Sequence, residues 1–413
     1  MNPAARGLAP PASRVLWLIP AVYFLFVTGE FLALTTLVLT ITDQGASGLR
    51  VGVLASALWL GILGTSMVAH RVVARFGHAR VFVAGSVVAT LALSCLPWTA
   101  AYTVWLAAAA VLGMAGGLVW VAGESWLAEA APAARRGFYV GLFETSVGLA
   151  LMTGPALLPL ALALGLPPLW LAVLLLAAGT ACSALLLAEV PLGAADTVPP
   201  ASDPPPLPPA ATSPAGVAAR STADATPIWR VVWPLVAVAA ASGVLESGIS
   251  SMLPSISMRL GFEMQLAAWL GVVIGAGSAL LQPPFGALAD RIGMPRTMAL
   301  AWALVLATLG WLWLVAAAPQ GSLWAVGFVL GGVGGAVYTL VVIELGHRFT
   351  GSRLVQAMGA LVTGYTLGTA GAPMAGGWLF DHFGLAGLSA ALWCVAAAGA
   401  FVAWRALRPA RRN

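Results

Sequence analysis

The sequence predicts an all-α polytopic membrane protein of twelve transmembrane helices in two six-helix halves, with both termini cytoplasmic. Three observations carry that prediction. The 413-residue chain is 60% hydrophobic and 8% charged, with a mean hydropathy of +0.95, whereas soluble domains run about 45–50% apolar and about 25% charged. Residues 216 positions apart repeat: Arg14 and Arg230, Trp17 and Trp233, Glu30 and Glu246, Gly61 and Gly277, Arg75 and Arg291, Gly77 and Gly293, Arg80 and Arg296. The arginines, finally, fall almost entirely into alternate connections.

Turns, prolines and charges cut the first half into spans at 15–41, 50–69, 81–98, 103–128, 137–160 and 168–188. The second half divides at 231–255, 264–285, 297–317, 322–346, 354–379 and 384–404. A run of about 20 apolar residues suffices to cross the hydrocarbon core. The first run follows Arg6 and Arg14 and continues to Ile41. It is too long for a signal h-region and reads as a retained span. Between spans six and seven, residues 189–229 are rich in Pro, Ala, Ser and Thr and contain Pro204-Pro205-Pro206-Leu207-Pro208-Pro209. Such a stretch favours extended polyproline structure and cannot build a core. The expected organisation is a half at 1–188, a cytoplasmic linker at 189–229 and a half at 230–413. With the amino terminus inside, seventeen arginines fall on the inner side and only Arg50 and Arg259 outside, as the positive-inside rule requires. The expected location is the cell inner membrane.

All nineteen basic residues are arginine. Without Lys there is no Walker A loop and no Schiff-base chemistry. The arginines are spread among short connections, so the net charge of +5 does not indicate nucleic acid. Cys95, Cys182 and Cys394 lie in separate apolar segments and read as small buried hydrophobes. His70, His78, His347 and His382 have no metal-ligand spacing. No nucleotide loop, metal cluster or nucleophile–base constellation is present, so neither an enzyme nor a cofactor is expected.

Residues 286–296 read Gly286-Ala-Leu-Ala-Asp290-Arg291-Ile-Gly293-Met-Pro-Arg296. This resembles the G-x-L-A-D-R-x-G-x-x-R signature loop of the major facilitator superfamily, which follows the second span of a half. The first copy, His70 to Arg80, keeps Arg75, Gly77 and Arg80 but has His70 and Ala74 in place of Gly and Asp. Gly154-Pro155 and Gly371-Ala-Pro373-Met-Ala-Gly376-Gly377 resemble the family's G-P-x-x-G-G antiporter motif, with the poorer copy in span five. Gly113-Met-Ala-Gly116-Gly117 resembles the glycine end of another exporter motif, although Ala109 stands where that motif has Arg. Trp120-Val-Ala-Gly-Glu124-Ser125 resembles a little-characterised bacterial branch. The resemblance implies alternating access, with a cytoplasmic gate of Arg75, Arg80, Glu124, Gly286, Asp290, Arg291, Gly293, Arg296 and Glu344. Gating ion pairs would join Glu124 and Glu344 to Arg75 and Arg291. Gly113, Gly117, Gly331 and Gly335 permit close helix packing, and with Gly154, Pro155 and Pro373 they form the expected hinge or packing positions.

Five acids lie within spans: Glu30, Glu124, Glu144, Glu246 and Glu344. Each costs about 2.5–3.5 kcal/mol at the bilayer centre on insertion scales, so each calls for a partner or a function. Glu30 and Glu246 sit sixteen residues beyond Arg14 and Arg230, roughly 24 Å along a helix, where no arginine lies. With Glu144 they are the candidates for proton coupling or for binding a cation. Thr28, Trp120, Thr145, Ser247, Tyr338 and Tyr365 are the expected cavity residues. Ser125, Thr363 and Thr366 add polar groups at depth, and Trp59, Phe143 and Trp269 add apolar or cation–π surface. The remaining tryptophans read as lipid-facing belts. No basic side chain lies mid-span, which disfavours an anionic substrate. The expected activity is secondary transport of a small neutral or cationic amphipathic molecule, with proton-coupled export preferred. Proton-coupled uptake or facilitated diffusion of a nutrient is the alternative within transport. A non-transporting receptor or assembly subunit is the alternative outside it. The expected partners are the substrate, protons and lipid around a monomer, with neither nucleic acid nor nucleotide.

Overall fold

The computed structural model describes residues 12–132, 136–188, 228–316, 321–349 and 351–407, so most of the expected linker lies outside the described residues. These residues form α1 (Ala12–Asp43), α2 (Gly48–Phe76), α3 (His78–Ser94), α4 (Tyr102–Ala130), α5 (Arg136–Ala163) and α6 (Pro168–Ala188). The second half continues with α7 (Ile228–Arg259), α8 (Met264–Ile292), α9 (Met294–Leu314), α10 (Leu323–Arg348) and α11 (Gly351–Leu407). All eleven are long and apolar enough to cross a membrane.

Most of the expected signature loop is helix. α2 runs on to Phe76 and α8 to Ile292, so 70–76 and 286–292 are last turns. The connection is a single glycine, Gly77 at φ 81° or Gly293 at φ 88°, whose N–H closes on the Val73 or Ala289 carbonyl. Only glycine takes that backbone at no steric cost, so the next helix starts at the following residue.

α11 is not one rod. Gly384 breaks it at φ 62°, ψ −165°. A Cβ built on Gly376 would lie 3.6 Å from Leu388 Cδ1, residues about 18 Å apart on a straight helix. The chain therefore folds back, and 351–383 and 385–407 are two arms.

The duplication is visible in the packing. α4 crosses α2 where Gly61 faces the Ala110 carbonyl, Gly113 faces Leu58 and Gly117 faces Ile62 and Thr65. α10 crosses α8 where Gly277 faces the Phe328 carbonyl, Gly331 faces Ile274 and Gly335 faces Gln282. Equivalent glycines thus mark equivalent crossings, with Gly61, Gly113, Gly277 and Gly331 each against backbone of the facing helix, as close crossings in membranes require. In the first half α1 packs against α4, α5 and α6; in the second, α7 packs against α10 and α11.

The halves meet along α2 with α11 and α5 with α8. Arg259 at the finish of α7 reaches Ala46, just past the finish of α1. α1 and α7 therefore finish at one end, termed far, and begin at the other, termed near. At the far end the halves touch directly. Gly48 lies on Gly377, Gly52 on the Pro373 carbonyl, Gly271 on Pro155 and Gly275 on Met152, and the Met374 N–H donates to Ser56 Oγ at 3.1 Å. Towards the near end the same faces lose their contacts: a Cβ at Gly148 of α5, on the face of Pro155, or at Gly359 of α11, on the face of Gly377, would meet nothing within 4 Å. The molecule is closed at the far end and splayed at the near end.

Eleven of the seventeen tryptophans are exposed, on surfaces that would face lipid. The buried reading of the cysteines needs correction. Cys95 and Cys394 are exposed and Cys182 is half-buried, because helices this apolar carry small hydrophobes on their outer faces as well.

Candidate functional site

A cavity lies between the halves, walled by α1, α2 and α5 on one side and α7, α8, α10 and α11 on the other. Its polar wall comes from Thr35, Glu246, Ser247, Ser250, Ser251, Ser278, Tyr365 and Thr369, and its aromatic wall from Phe31, Trp59 and Tyr365. No arginine or histidine is among the described residues lining it.

Glu246 is the only carboxylate among the described residues on this wall, and three helices fix its place. Gly334 of α10 faces the Glu246 backbone, where a Cβ would stand 3.8 Å from the Glu246 nitrogen. Ser242, one turn earlier on α7, donates to the Gly334 carbonyl at 2.6 Å. Ser247 donates to the Thr369 carbonyl at 2.9 Å, which pins α7 to α11. Tyr365 of α11 donates its hydroxyl to Glu246 Oε2 at 2.9 Å, and the Tyr338 ring packs on Tyr365 at 4.5 Å between centroids.

Glu30 occupies the equivalent depth but different surroundings. It is 4% exposed, lies beside Gly116 and is absent from the cavity wall. A Cβ at Gly116 would come 3.1 Å from Oε1, so the glycine makes room for the carboxyl. Oε1 has no hydrogen-bond partner among the described residues, and neither do Thr28 Oγ1, Trp59 Nε1 or Trp120 Nε1. Among the described residues the first half thus holds four buried polar atoms without a partner.

The other expected residues are dispersed. Ser247 and Tyr365 line the cavity and Tyr338 backs Tyr365, whereas Thr28, Trp120 and Thr145 do not line it. Phe143 is fully buried and stacks on Tyr23 at 4.7 Å, and Trp269 is exposed. Ser125, Thr363 and Thr366 donate to their own helices' carbonyls one turn back. The side chain of Glu144 lies outside the described residues.

Of the gate pairs, Glu344 binds Arg348 at 2.6 Å rather than Arg291, because an arginine one turn on meets it across the same helix face. Arg348 also donates to the Ala406 carbonyl at 3.0 Å. Glu124 is exposed, and among the described residues Arg75, Arg80, Asp290, Arg291 and Arg296 form no ion pair. Gly154 and Pro155 do sit at packing positions, Gly154 against α1 and Pro155 against Gly271.

Sequence reasoning missed Phe31, Thr35, Ser250, Ser251, Ser278 and Thr369 on the wall. Helical spacing offered a signal for one of them: Ser250 lies four residues beyond Glu246. Also missed was Asp381, which binds Arg259 at 2.8 Å across the far end. Asp381 stands three residues before the break at Gly384, outside the spans. Burial alone would push its carboxyl up. The N–H donors of Leu49 and Gly48 and the Arg259 guanidinium outweigh burial and hold it below the usual carboxylate range.

Known proteins are similar in sequence along most of the chain. The sequence model of the Major Facilitator Superfamily matches residues 21–278 and 235–413. An uncharacterized MFS-type transporter of Yersinia pestis (strain Pestoides F) is 24% identical over 363 residues, covering 84% of this chain and 85% of its own. YfkF of Bacillus subtilis (strain 168), likewise an uncharacterized MFS-type transporter, is 24% identical over 351 residues, 84% of this chain and 83% of its own. YE1530 of Yersinia enterocolitica, described in the same words, is 23% identical over 361 residues, with 84% and 85% covered. Two glycine-crossed halves around one cavity, matched by the family across both, make this chain a member of the Major Facilitator Superfamily, a multi-pass secondary transporter of the membrane.

Proposed function

We propose that the protein exports a small cationic or neutral amphipathic molecule across the cell inner membrane in exchange for protons, as a monomer. The observation that carries this reading is the cavity wall: among the described residues it holds one carboxylate, Glu246, with serines and aromatic rings and no basic side chain. A cation finds a charge partner there, aromatic faces accept its apolar body, and an anion finds nothing to neutralise it. A proton can take the same carboxylate when the cation leaves, and carboxylates serve proton relays in transporters in this way. Glu30, at the same depth in the other half, offers a second protonation site away from the wall.

The arginine bias supports a cytoplasmic near end, with Arg14, Arg75, Arg230 and Arg291 on that side and Arg50 and Arg259 at the far end. The cavity is then splayed towards the cytoplasm, one of the two states that alternating access needs. Gly154-Pro155 of α5 and Gly371-Ala-Pro373 of α11, which resemble the antiporter motif, favour export over uptake.

Purified protein in liposomes should move ethidium, a monovalent aromatic cation, against its gradient when an opposing proton gradient is imposed. Glu246→Gln should abolish that movement. Flux that ignores the pH gradient in the parent protein would sink the coupling. Accumulation in the opposite sense would support uptake.

A further inference from the structure

The far end is held by more than surface contact. α2 begins at Gly48, and its first amide groups have no carbonyl within their own helix to bind. Ser47 satisfies one, accepting from the Arg50 N–H at 3.3 Å. Two others are satisfied from the opposite half: Gly48 donates to Asp381 Oδ1 at 2.7 Å and Leu49 donates to Oδ2 at 2.8 Å. A carboxylate on the positive end of a helix is favoured by both the hydrogen bonds and the helix dipole. Here cap and helix belong to different halves. Arg259 completes the arrangement: its Nη1 donates to Asp381 Oδ1 at 2.8 Å, and its Nη2 donates to the Ala46 carbonyl. One guanidinium thus holds the cap in place and grips the turn that precedes α2.

The surroundings are shaped for this contact. Gly48 and Gly377 lie backbone to backbone, and a Cβ at Gly48 would meet the Asp381 carboxylate at 2.9 Å. The charged groups around Asp381 are few. Arg259 comes from α7, Arg50 from α2 is turned onto the Tyr102 ring at 4.5 Å, and His382 on the same arm binds the Trp378 carbonyl at 2.9 Å.

We propose that Asp381 and Arg259 are the outer gate of this transporter: Asp381 caps α2 across the interface while the far end is shut, and opening that end uncaps the helix. The inference rests on the alternating-access reading, but its test needs neither substrate nor proton gradient. It also gives Arg259 a role, as one of only two arginines outside the positive-inside pattern.

Spin labels at Leu49 and His382, in a background with the three cysteines replaced by alanine, report the far-end distance in detergent and in nanodiscs. The parent should show one short, dominant distance. Asp381→Asn and Arg259→Gln should each add a longer population, raising its share about tenfold, while labels at Arg75 and Arg291 move closer together. The exchanged pair Asp381→Arg with Arg259→Asp keeps opposite charges but places no acceptor at the α2 amides, so it should stay open. If the exchange restores the short distance, the cap is overturned in favour of a plain ion pair. If distances in Asp381→Asn match the parent, the gate itself is overturned. Should Asp381→Asn fail to fold, unchanged distances in Arg259→Gln overturn it equally. If the parent protein shows no proton-driven ethidium transport while the variants show the expected distance changes, the proposed function fails and the gate stands.

Discussion

At the scale of single residues, Glu30 and Glu246 show how a duplication can keep a residue and change its use. Both sit beside a glycine of the equivalent helix, Gly116 of α4 and Gly334 of α10. Only Glu246 faces the cavity and takes a hydrogen bond from Tyr365. Removing one partner of a charged hydrogen bond costs about 1.5–3 kcal/mol. Tyr365→Phe should therefore weaken ethidium binding on the order of tenfold or more, measured by fluorescence titration at fixed pH. Glu30→Gln should bind ethidium within about threefold of the parent but lose the response of transport to a proton gradient. Equal loss of binding in Glu30→Gln and Glu246→Gln would remove the distinction between the two acids. The 216-residue offset made the pair legible in the sequence. Their difference was not, because Tyr365 lies 119 positions from Glu246 and only the packing of α11 on α7 brings it there. Asp381 was hidden for the same reason: its partners at Gly48 and Leu49 are more than 330 residues away.

At the scale of elements, glycine sets how closely helices cross, and the structure separates glycines that do this from those that do not. A Cβ at Gly113 would overlap the Leu58 carbonyl and one at Gly331 the Ile274 carbonyl, whereas one at Gly64 meets open space. Overpacking of this kind costs about 1–3 kcal/mol, while Gly→Ala in a helix with free space gains roughly 0.5–1 kcal/mol. Gly113→Ala and Gly331→Ala should each lower the melting temperature in detergent by several degrees, and Gly64→Ala should leave it unchanged or raise it. A destabilised Gly64→Ala, or an unaffected Gly113→Ala, would show that these crossings do not set stability. Most helices could be read from the length of apolar runs, and the Gly113 and Gly331 clusters from composition. The ends of α2 and α8 could not, since charged residues such as Arg75, Asp290 and Arg291 look like loop while the backbone stays helical up to Gly77 and Gly293. The joint at Gly384 is a related case: one positive-φ glycine makes two arms of a continuous apolar stretch.

At the scale of the whole molecule, two helix pairs act as the arms of a V. α2 with α11 and α5 with α8 touch at the far end, at Gly52 with Pro373 and at Gly275 with Met152, and both pairs part before the near end. Rocking the halves about the cavity would exchange the closed end for the open one, so contacts that exist only at the far end should bias which state is populated. Gly52 is such a contact, because a Cβ there would overlap the Pro373 carbonyl of the opposite half. An overlap of about 1–3 kcal/mol that is relieved when the far end opens shifts the equilibrium by roughly tenfold or more. The shift can be read at Ser278, which lines the cavity. In the cysteine-free background, Ser278→Cys should react with a membrane-impermeant maleimide from the near side. Adding Gly52→Ala should slow that reaction about tenfold, whereas adding Gly64→Ala should not change it. The slowed variant should also become more reactive from the far side, since the same cavity wall serves both states. A folded Gly52→Ala protein with the parent's near-side rate would mean that the far-end contact survives in both states, and that the halves do not rock about this cavity.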